Sequence, residues 1–534
     1  MTCGFVSRQF PAEVSFDEAK TYAVLTGCGL EVGSYVVVEG GGRRYLASVS
    51  KLQVADIYAV AKTPVLTPEQ EKAVSLRLGP LIAELEILSE CFGNSCGPPA
   101  TPVPIHSSVR PPAPGEVGEM LGLPREGVVL GALALPSGRA VEGEVVRLPL
   151  EALRHHVLVV GTTGSGKTVL VKEIAKQLAG QQVVALDAVG HFYHLAYSGV
   201  RVRVVLPVTR QMARRGARAV VRRVVKTAAW GSRARFKARV RFKKQRATGE
   251  VYLAGAVVEV ESPRGRGVFE VVPWALESRR ILRDLPRAIP ILSQQARIFY
   301  QRVLKRAVEL SGQKTAEGLY EFLTSPAEGE RRPVVMYEKL GMELGLHSST
   351  MENIVRALLA LVETGLVDVV GGGFRVVEPR YDFSGYTVVD ISRLNVHQQR
   401  LVVYRILDAV YRRARPTTAV LIDEAHLFFP QTRSEDEQAF IEGHLTRLTR
   451  LGRARGIAVV FATHMPTDLN DVVVQLANTK VILRSDLKIL DRLDVPAKDR
   501  RFLAVADKGI AYVRSYAYRH PIYVKVQKTV AHFG

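Results

Sequence analysis

The chain has 534 residues, 47% of them hydrophobic and 23% charged, the composition of a soluble globular protein with room for about two to four domains. Lys and Arg total 73 against 52 Asp and Glu, and the net charge of +21 points to an anionic partner, either nucleic acid or an acidic membrane surface. Met1–Arg8 lacks the charged start and apolar core of a signal peptide, no apolar run approaches membrane-spanning length, and Cys3, Cys28, Cys91 and Cys96 are too few for a disulfide framework. A cytoplasmic protein with reduced thiols and no integral membrane association is expected, a Cys91–Cys96 pair or metal site being the alternative for those two cysteines.

Residues 1–62 alternate short β-rich runs, Thr21–Leu25, Tyr35–Val38 and Arg44–Val49, with glycine turns, and predict a small N-terminal β-barrel or sandwich. In residues 63–150, Thr67 caps and Pro68 opens a predicted helix over Thr67–Phe92. Gly97–Pro114 then reads as a Pro-rich tether, and Gly127–Leu150 as strands leading into the next segment.

In residues 151–200 the apolar run Val157–Val160 enters Gly161-Thr162-Thr163-Gly164-Ser165-Gly166-Lys167-Thr168, a complete GxxxxGK[ST] phosphate loop, followed by a helix-compatible Val169–Ala179. The glycines let backbone N–H groups approach phosphates, Lys167 reaches the outer phosphates, and the Thr168 hydroxyl suits Mg²⁺. ATP and Mg²⁺ are the expected cofactors, with Gly161 through Val169 forming the nucleotide cradle. Gln182–Leu186 is a second buried strand that ends at Asp187, so βαβ alternation has begun.

Residues 201–275 interrupt it. Arg201 to Arg246 holds 17 Lys or Arg and no Asp or Glu. Arg214, Arg218, Arg222 and Lys226 recur every four residues, which predicts a basic stripe on one helix face. In Arg235–Lys243 charge alternates with apolar residues, so a strand would bury Phe236, Ala238, Val240 and Phe242 and present Arg235, Lys237, Arg239 and Arg241. Val251–Val260 and Val268–Val272 would complete a small sheet. A DNA backbone fits this face through counterion release, while a membrane surface and a plain solvated face are the alternatives. Residues 276–380 read as a helical bundle, with Leu340–Val377 offering a winged-helix alternative.

Residues 381–534 resume the α/β pattern through strands Thr387–Ile391, Ala419–Ile422, Ile457–Ala462 and Val481–Leu483. The Ala419–Ile422 run ends in Asp423-Glu424. Asp423 is placed to hold the Mg²⁺ shell, and Glu424 to orient or deprotonate an attacking water. A hydrolase is favoured over a passive nucleotide binder.

In order and spacing these residues resemble the HerA family of archaeal hexameric DNA translocases, within the wider HerA and FtsK group of motor ATPases. The likeness is carried by Gly33–Glu39, by Arg154-His155-His156 leading into Gly161–Thr168, and by Leu421–His426, Arg450–Gly456, Ala462–Pro466 and Ala477–Arg484. It implies a RecA-like P-loop ATPase core with an N-terminal β-barrel, an α/β fold class; the inserted basic β-rich segment, read from the residues together with the helical bundle, has no counterpart in the family and leaves open whether the family's usual nuclease partner applies. The likeness also implies that Lys167 and Thr168 bind phosphate and Mg²⁺, that Asp423 completes the metal site, and that Glu424 activates water. Arg154 and Arg453 match arginines that act on the phosphates, at least one across a subunit boundary, and Arg447, Arg450 and Arg455 compete with Arg453 for that role. The chain departs from the family at Asp187–His191 and at His464, which replaces a sensor glutamine but can still hydrogen-bond a phosphate oxygen.

The function implied is a ring-forming, Mg²⁺- and ATP-dependent DNA translocase or helicase. A homo-hexamer around DNA would serve DNA-end processing or recombinational repair with a NurA-type nuclease. Alternatives are a divergent translocase for plasmid, viral or conjugative DNA handling, a nucleic-acid-binding ATPase switch without motor activity, and a membrane-associated secretion ATPase.

Overall fold

The computed structural model describes residues 2–533 apart from 9, 16, 17, 27, 55–80, 94, 326–334, 338–341, 345, 416 and 417. Two compact units emerge. One comprises residues 1–152, 161–166 and 479–527, and the other 153–160, 167–478 and 528–534.

In the first unit, strands Ala19–Leu25, Gly4–Val6, Ser108–Arg110, Tyr35–Gly40, Arg43–Val54 and Leu81–Phe92 pair in that order, and the last pairs back on the first. Six strands thus close into a barrel, whose inward residues include Val36, Val38, Tyr45, Ala83, Leu85 and Val109. Closure removes free edges, which is how a small β-domain avoids unpaired backbone groups. Three expectations are corrected here. Leu81–Phe92 is a strand and not the end of a helix, because its inward residues alternate with period two; residues 67–80 of that expected helix lie outside the described residues. The barrel extends past residue 62, since the Pro-rich stretch contributes Ser108–Arg110 as a wall strand. The cysteines are not free thiols: Cys3 pairs with Cys28 and Cys91 with Cys96.

The same unit contains an antiparallel sheet in which Ala140–Leu148, Val128–Ala134, Ile522–Val526, Ile510–Ser515 and Thr479–Leu483 are successive neighbours.

The second unit is built on a parallel sheet ordered Val157–Val160, Ile457–Thr463, Thr418–Ile422, Gln182–Asp187, Gly385–Asp390 and Val202–Pro207. The first four are buried along their whole length, as parallel strands covered on both faces must be. The basic insertion is not a separate sheet. Gly265–Trp274 pairs in parallel with Val202–Pro207, then Val251–Ser262 and Arg235–Lys244 follow antiparallel, so the insertion extends the core sheet.

Arg214 is also displaced from the expected stripe. Its short helix ends at Arg214, and Arg218, Arg222 and Lys226 line a new helix, Ala217–Ala229, that starts after Gly216 at φ 83°. Arg223 of that helix is buried and donates to Asp390 at 2.8 Å. The helical insertion comprises Ser278–Ala288, Gln294–Ser311, Ala316–Thr324 and Ser348–Glu363, followed by a short hairpin of Val370–Gly371 and Phe374–Arg375. In Leu340–Leu346, the first part of the winged-helix alternative, Met342–Leu344 is a strand paired with Val335–Tyr337, while residues 340, 341 and 345 lie outside the described residues. Arg405, on core helix Val396–Arg413 and only 10% exposed at its side chain, donates to Asp284 and Glu378 and so ties the insertion to the core. No helix among the described residues is long and apolar enough to cross a membrane.

Glu90 on a barrel wall reads out this packing. Burial alone would raise its carboxyl pKa, but the Ala100 and Thr101 N–H groups, the Thr101 hydroxyl and Arg43 hold it down to about 2. The folded value lies below the unfolded one, so its stabilisation is present above pH 4.5 and lost as pH falls towards 2. The stability difference between wild type and Glu90→Gln, followed by denaturant unfolding, should therefore shrink steadily between about pH 5 and 2.5. A constant difference would place the stabilisation elsewhere.

Candidate functional site

The parallel register sets the site. Val160 stands opposite Thr463, Ile422 opposite Phe461, and Leu186 opposite Ile422. The carboxyl ends of these strands therefore bring Asp423-Glu424, Thr463-His464 and Asp187 to one edge of the sheet, the edge where open α/β sheets bind ligands.

Within the loop that follows Val160, Gly164 and Gly166 take φ 80° and 112°, conformations that a side chain resists. Ser165 Oγ donates to the Thr162 carbonyl at 2.8 Å, and a Cβ on Gly161 would meet that Oγ at 2.6 Å, so the turn is tight enough to require glycine. Thr163 and Gly164 are exposed at its tip, and Val169 is buried in the helix that follows. That helix, Lys167–Gln177, starts at Lys167, with Thr168 half-buried beside it.

Lys167 and Asp423 are both buried. Burial lowers the Lys167 pKa against the pull of Glu424 and Asp423. Burial, reinforced by the Glu424 charge, raises Asp423 to about 6, opposed by the Glu424 N–H and by Lys167. The buried Asp423 carboxylate and the Thr168 hydroxyl are hard oxygen donors of the kind suited to Mg²⁺. Bound at Thr168 and Asp423, Mg²⁺ would relieve the raised Asp423 pKa by supplying positive charge.

Glu424 takes φ 52° and ψ 47°, a left-handed conformation costing a non-glycine residue roughly 1–2 kcal/mol. The turn swings its side chain toward His464, whose Nδ1 is 2.7 Å from Glu424 Oε2. His426 Nδ1 lies 3.0 Å from Thr463 Oγ1 and 3.6 Å from the same Glu424 oxygen. Sequence spacing alone gives His426 no role, although it stands two residues after Glu424; only the strand register places it against the end of the neighbouring strand. Asp187, in the stretch that departs from the family pattern, is fully buried. Burial raises it to about 7, while the N–H groups of Gly190 and Phe192 oppose the shift.

Arg154 is half-buried ahead of Val157–Val160, and Arg453 is exposed. Of the competing arginines, Arg447 reaches Asp408 at 3.2 Å and stacks on the Tyr411 ring, and Arg455 also lies over that ring while donating to the Tyr411 carbonyl. Arg450, Arg453 and Arg455 are all exposed, Arg450 within a π-helical turn over Arg447–Leu451 and Arg453 just after it. Such turns re-aim side chains and concentrate at functional positions.

Arg235, Lys237, Arg239 and Arg241 are exposed, but the rest of that strand does not form the expected buried face. Phe236 and Phe242 are 47% and 51% exposed. Nor is the charge wholly unopposed: Arg235 stands opposite Glu261 and Lys237 opposite Glu259, whereas Arg239 faces Val257 and Arg241 faces Gly255.

The family model for the helicase HerA central domain matches residues 135–410, just over half of the chain, and that for the helicase HerA-like C-terminal region matches residues 402–484. The DNA double-strand break repair helicase HerA of Pyrococcus furiosus is 27% identical over 183 residues, covering 26% of this chain and 32% of that protein. The matched region thus spans about a third of that relative's length. VirB4 of Thermoanaerobacter pseudethanolicus is similar at 12% identity and TM-score 0.45, over 76% of this chain and 97% of that one. The plasmid coupling protein TrwB in complex with ADP and Mg²⁺ is similar at 16% identity and TM-score 0.44, over 79% and 92%.

Proposed function

This chain belongs to the HerA helicase family, and on that footing we propose that it is a ring-forming, Mg²⁺- and ATP-dependent DNA translocase or helicase acting in DNA-end processing with a NurA-type nuclease. The observation that carries the reading is the pairing of a buried Lys167 with Asp423 and Glu424 at the carboxyl edge of a parallel sheet. Backbone N–H groups of Gly161–Thr168 cradle the phosphates, and Lys167 neutralises the outer ones. Thr168 and Asp423 would hold Mg²⁺, which would supply charge neutralisation at the phosphates. Glu424 takes the proton of the attacking water, and His464 hydrogen-bonds a phosphate oxygen when it releases Glu424. Arg453, exposed and near the π turn, serves the site of a neighbouring copy in a homo-hexamer, with Arg154 as the second arginine. Arg235, Lys237, Arg239 and Arg241 contact the DNA backbone, where each neutralised phosphate releases counterions.

Glu424→Gln should keep ATP binding and lower turnover by about 10²–10⁴-fold, since the proton acceptor is removed while phosphate contacts remain. Lys167→Ala should weaken ATP binding itself. Near-wild-type turnover in Glu424→Gln would remove Glu424 from catalysis. Mixing inactive Arg453→Ala with inactive Glu424→Gln subunits should restore hydrolysis at mixed interfaces; no recovery in confirmed mixed rings would move the trans role to Arg154.

The register selects the cleaner charge test. Reversing Arg235 or Lys237 would set like charges against Glu261 or Glu259, whereas Arg239→Glu with Arg241→Glu meets Val257 and Gly255. The double variant should bind duplex DNA more weakly, its salt dependence shallower by about 0.9 in log–log slope for each phosphate it no longer neutralises. An unchanged slope in the folded variant would assign the strand to a different partner.

A further inference from the structure

Glu424, His426 and His464 each present a ligand atom, and these atoms all lie within 4.8 Å of one another. Glu424 Oε2 is 2.7 Å from His464 Nδ1 and 3.6 Å from His426 Nδ1. Around a tetrahedral zinc-class ion with bonds of about 2.0–2.1 Å, ligand atoms stand about 3.3 Å apart. The two measured separations straddle that spacing, so small side-chain rotations would close the set. Two imidazoles and one carboxylate favour Zn²⁺ or Co²⁺, whereas Mg²⁺ prefers oxygen alone.

A second histidine group, His191, His194 and His532, also gathers within 4.8 Å. There, however, Lys172 Nζ already sits among the rings, 3.3 Å from His194 Nδ1 and 3.0 Å from His532 Nδ1, with the Ala531 carbonyl at 3.0 Å. The lysine occupies the cation's place in that cluster. At Glu424 no such group intervenes between the carboxylate and the His464 ring, which are in direct contact.

We propose that Glu424, His426 and His464 form a binding site for a zinc-class divalent cation, separate in chemistry from the Mg²⁺ position at Thr168 and Asp423, and that filling it shuts off hydrolysis. The inhibitory half rests on the reading of Glu424 as the group that activates water. A cation on Glu424 Oε2 takes up the lone pair that would accept the water proton, and it holds His464 in place as well. At His426 the cation would replace Thr463 Oγ1 as the partner of Nδ1, and that hydroxyl keeps the N–H of Met465, which it already accepts at 3.0 Å. Three protein ligands leave a fourth position for water, the arrangement of an exchangeable site.

The test uses the full-length, untagged protein without nucleotide, titrated with Co²⁺ as the spectroscopic probe. The expected result is visible absorption of low-symmetry Co²⁺ saturating near one ion per chain, abolished by Zn²⁺ and indifferent to millimolar Mg²⁺. His426→Ala and His464→Ala should each weaken Co²⁺ binding at least about tenfold, the loss that even an outer-shell change brings, and the His191→Ala, His532→Ala double variant should leave it unchanged. At saturating Mg²⁺ and ATP, micromolar Zn²⁺ should inhibit hydrolysis, and His426→Ala should raise the Zn²⁺ needed to halve its own activity by a similar factor. Absent Co²⁺ bands, bands that survive in both single variants, or bands missing only in the His191, His532 variant would overturn the proposal. Because binding is read without ATP, Co²⁺ uptake at these residues in a protein that never hydrolyses ATP would sink the catalytic reading and the inhibitory role while upholding the site; hydrolysis without Co²⁺ uptake would sink the site alone.

Discussion

Parallel pairing between strands about 300 residues apart in sequence, with Val157 opposite Val460, is what the rest of the second unit depends on. Val157–Val160 and Thr418–Ile422 each pair with Ile457–Thr463, and unless both align in register the phosphate-loop helix and the two carboxylates do not share an edge. The entropy of closing a loop grows only logarithmically, about 0.6 kcal/mol for each doubling of length, so the long insertion adds little to the cost of that alignment. The fully buried apolar strands more than offset it, each buried Val, Leu or Ile contributing about 1.5–3 kcal/mol.

At that edge the electrostatics are held in tension. Burial disfavours the charged form of both Lys167 and Asp423, and each is partly compensated by the other. The same logic fastens the insertions. Arg223 with Asp390, and Arg405 with Glu378 and Asp284, are ion pairs with their carboxylates buried, so losing one partner would strand a charge at a cost of about 3–5 kcal/mol. Such pairs are poor sources of net stability but specific ones. They fix where the basic helix Ala217–Ala229 and the helix Ser278–Ala288 sit on the core.

Much of this is legible in the residues. The phosphate loop, the strand ending in Asp423-Glu424 and the hairpin after the basic strand follow from motif and periodicity, because those signals are local. What the residues do not disclose is non-local. Leu81–Phe92 carries a helix-compatible composition, and only its pairing with Ala19–Leu25 and Arg43–Val54 makes it a wall of the barrel. The pairing of Cys3 with Cys28 follows from the strand order and not from spacing. Charge alternation in Arg235–Lys244 identifies a strand correctly but not how far its apolar face is covered, which depends on neighbours the sequence does not rank. His426 joins Glu424 and His464 only through the register of two parallel strands.

The exposed strand Arg235–Lys244 has one further consequence. Among the described residues it pairs with Val251–Ser262 alone, so its other side presents a row of backbone donors and acceptors beside two half-exposed phenylalanines. Such an edge templates growth into intermolecular sheets. Two copies of this strand meeting edge to edge would bring Arg239, Arg241, Lys243 and their neighbours against like charges, and the repulsion opposes that pairing. The basic residues thus act as gatekeepers against aggregation whether or not DNA is bound, and neutralising them would be felt first as loss of solubility at high concentration.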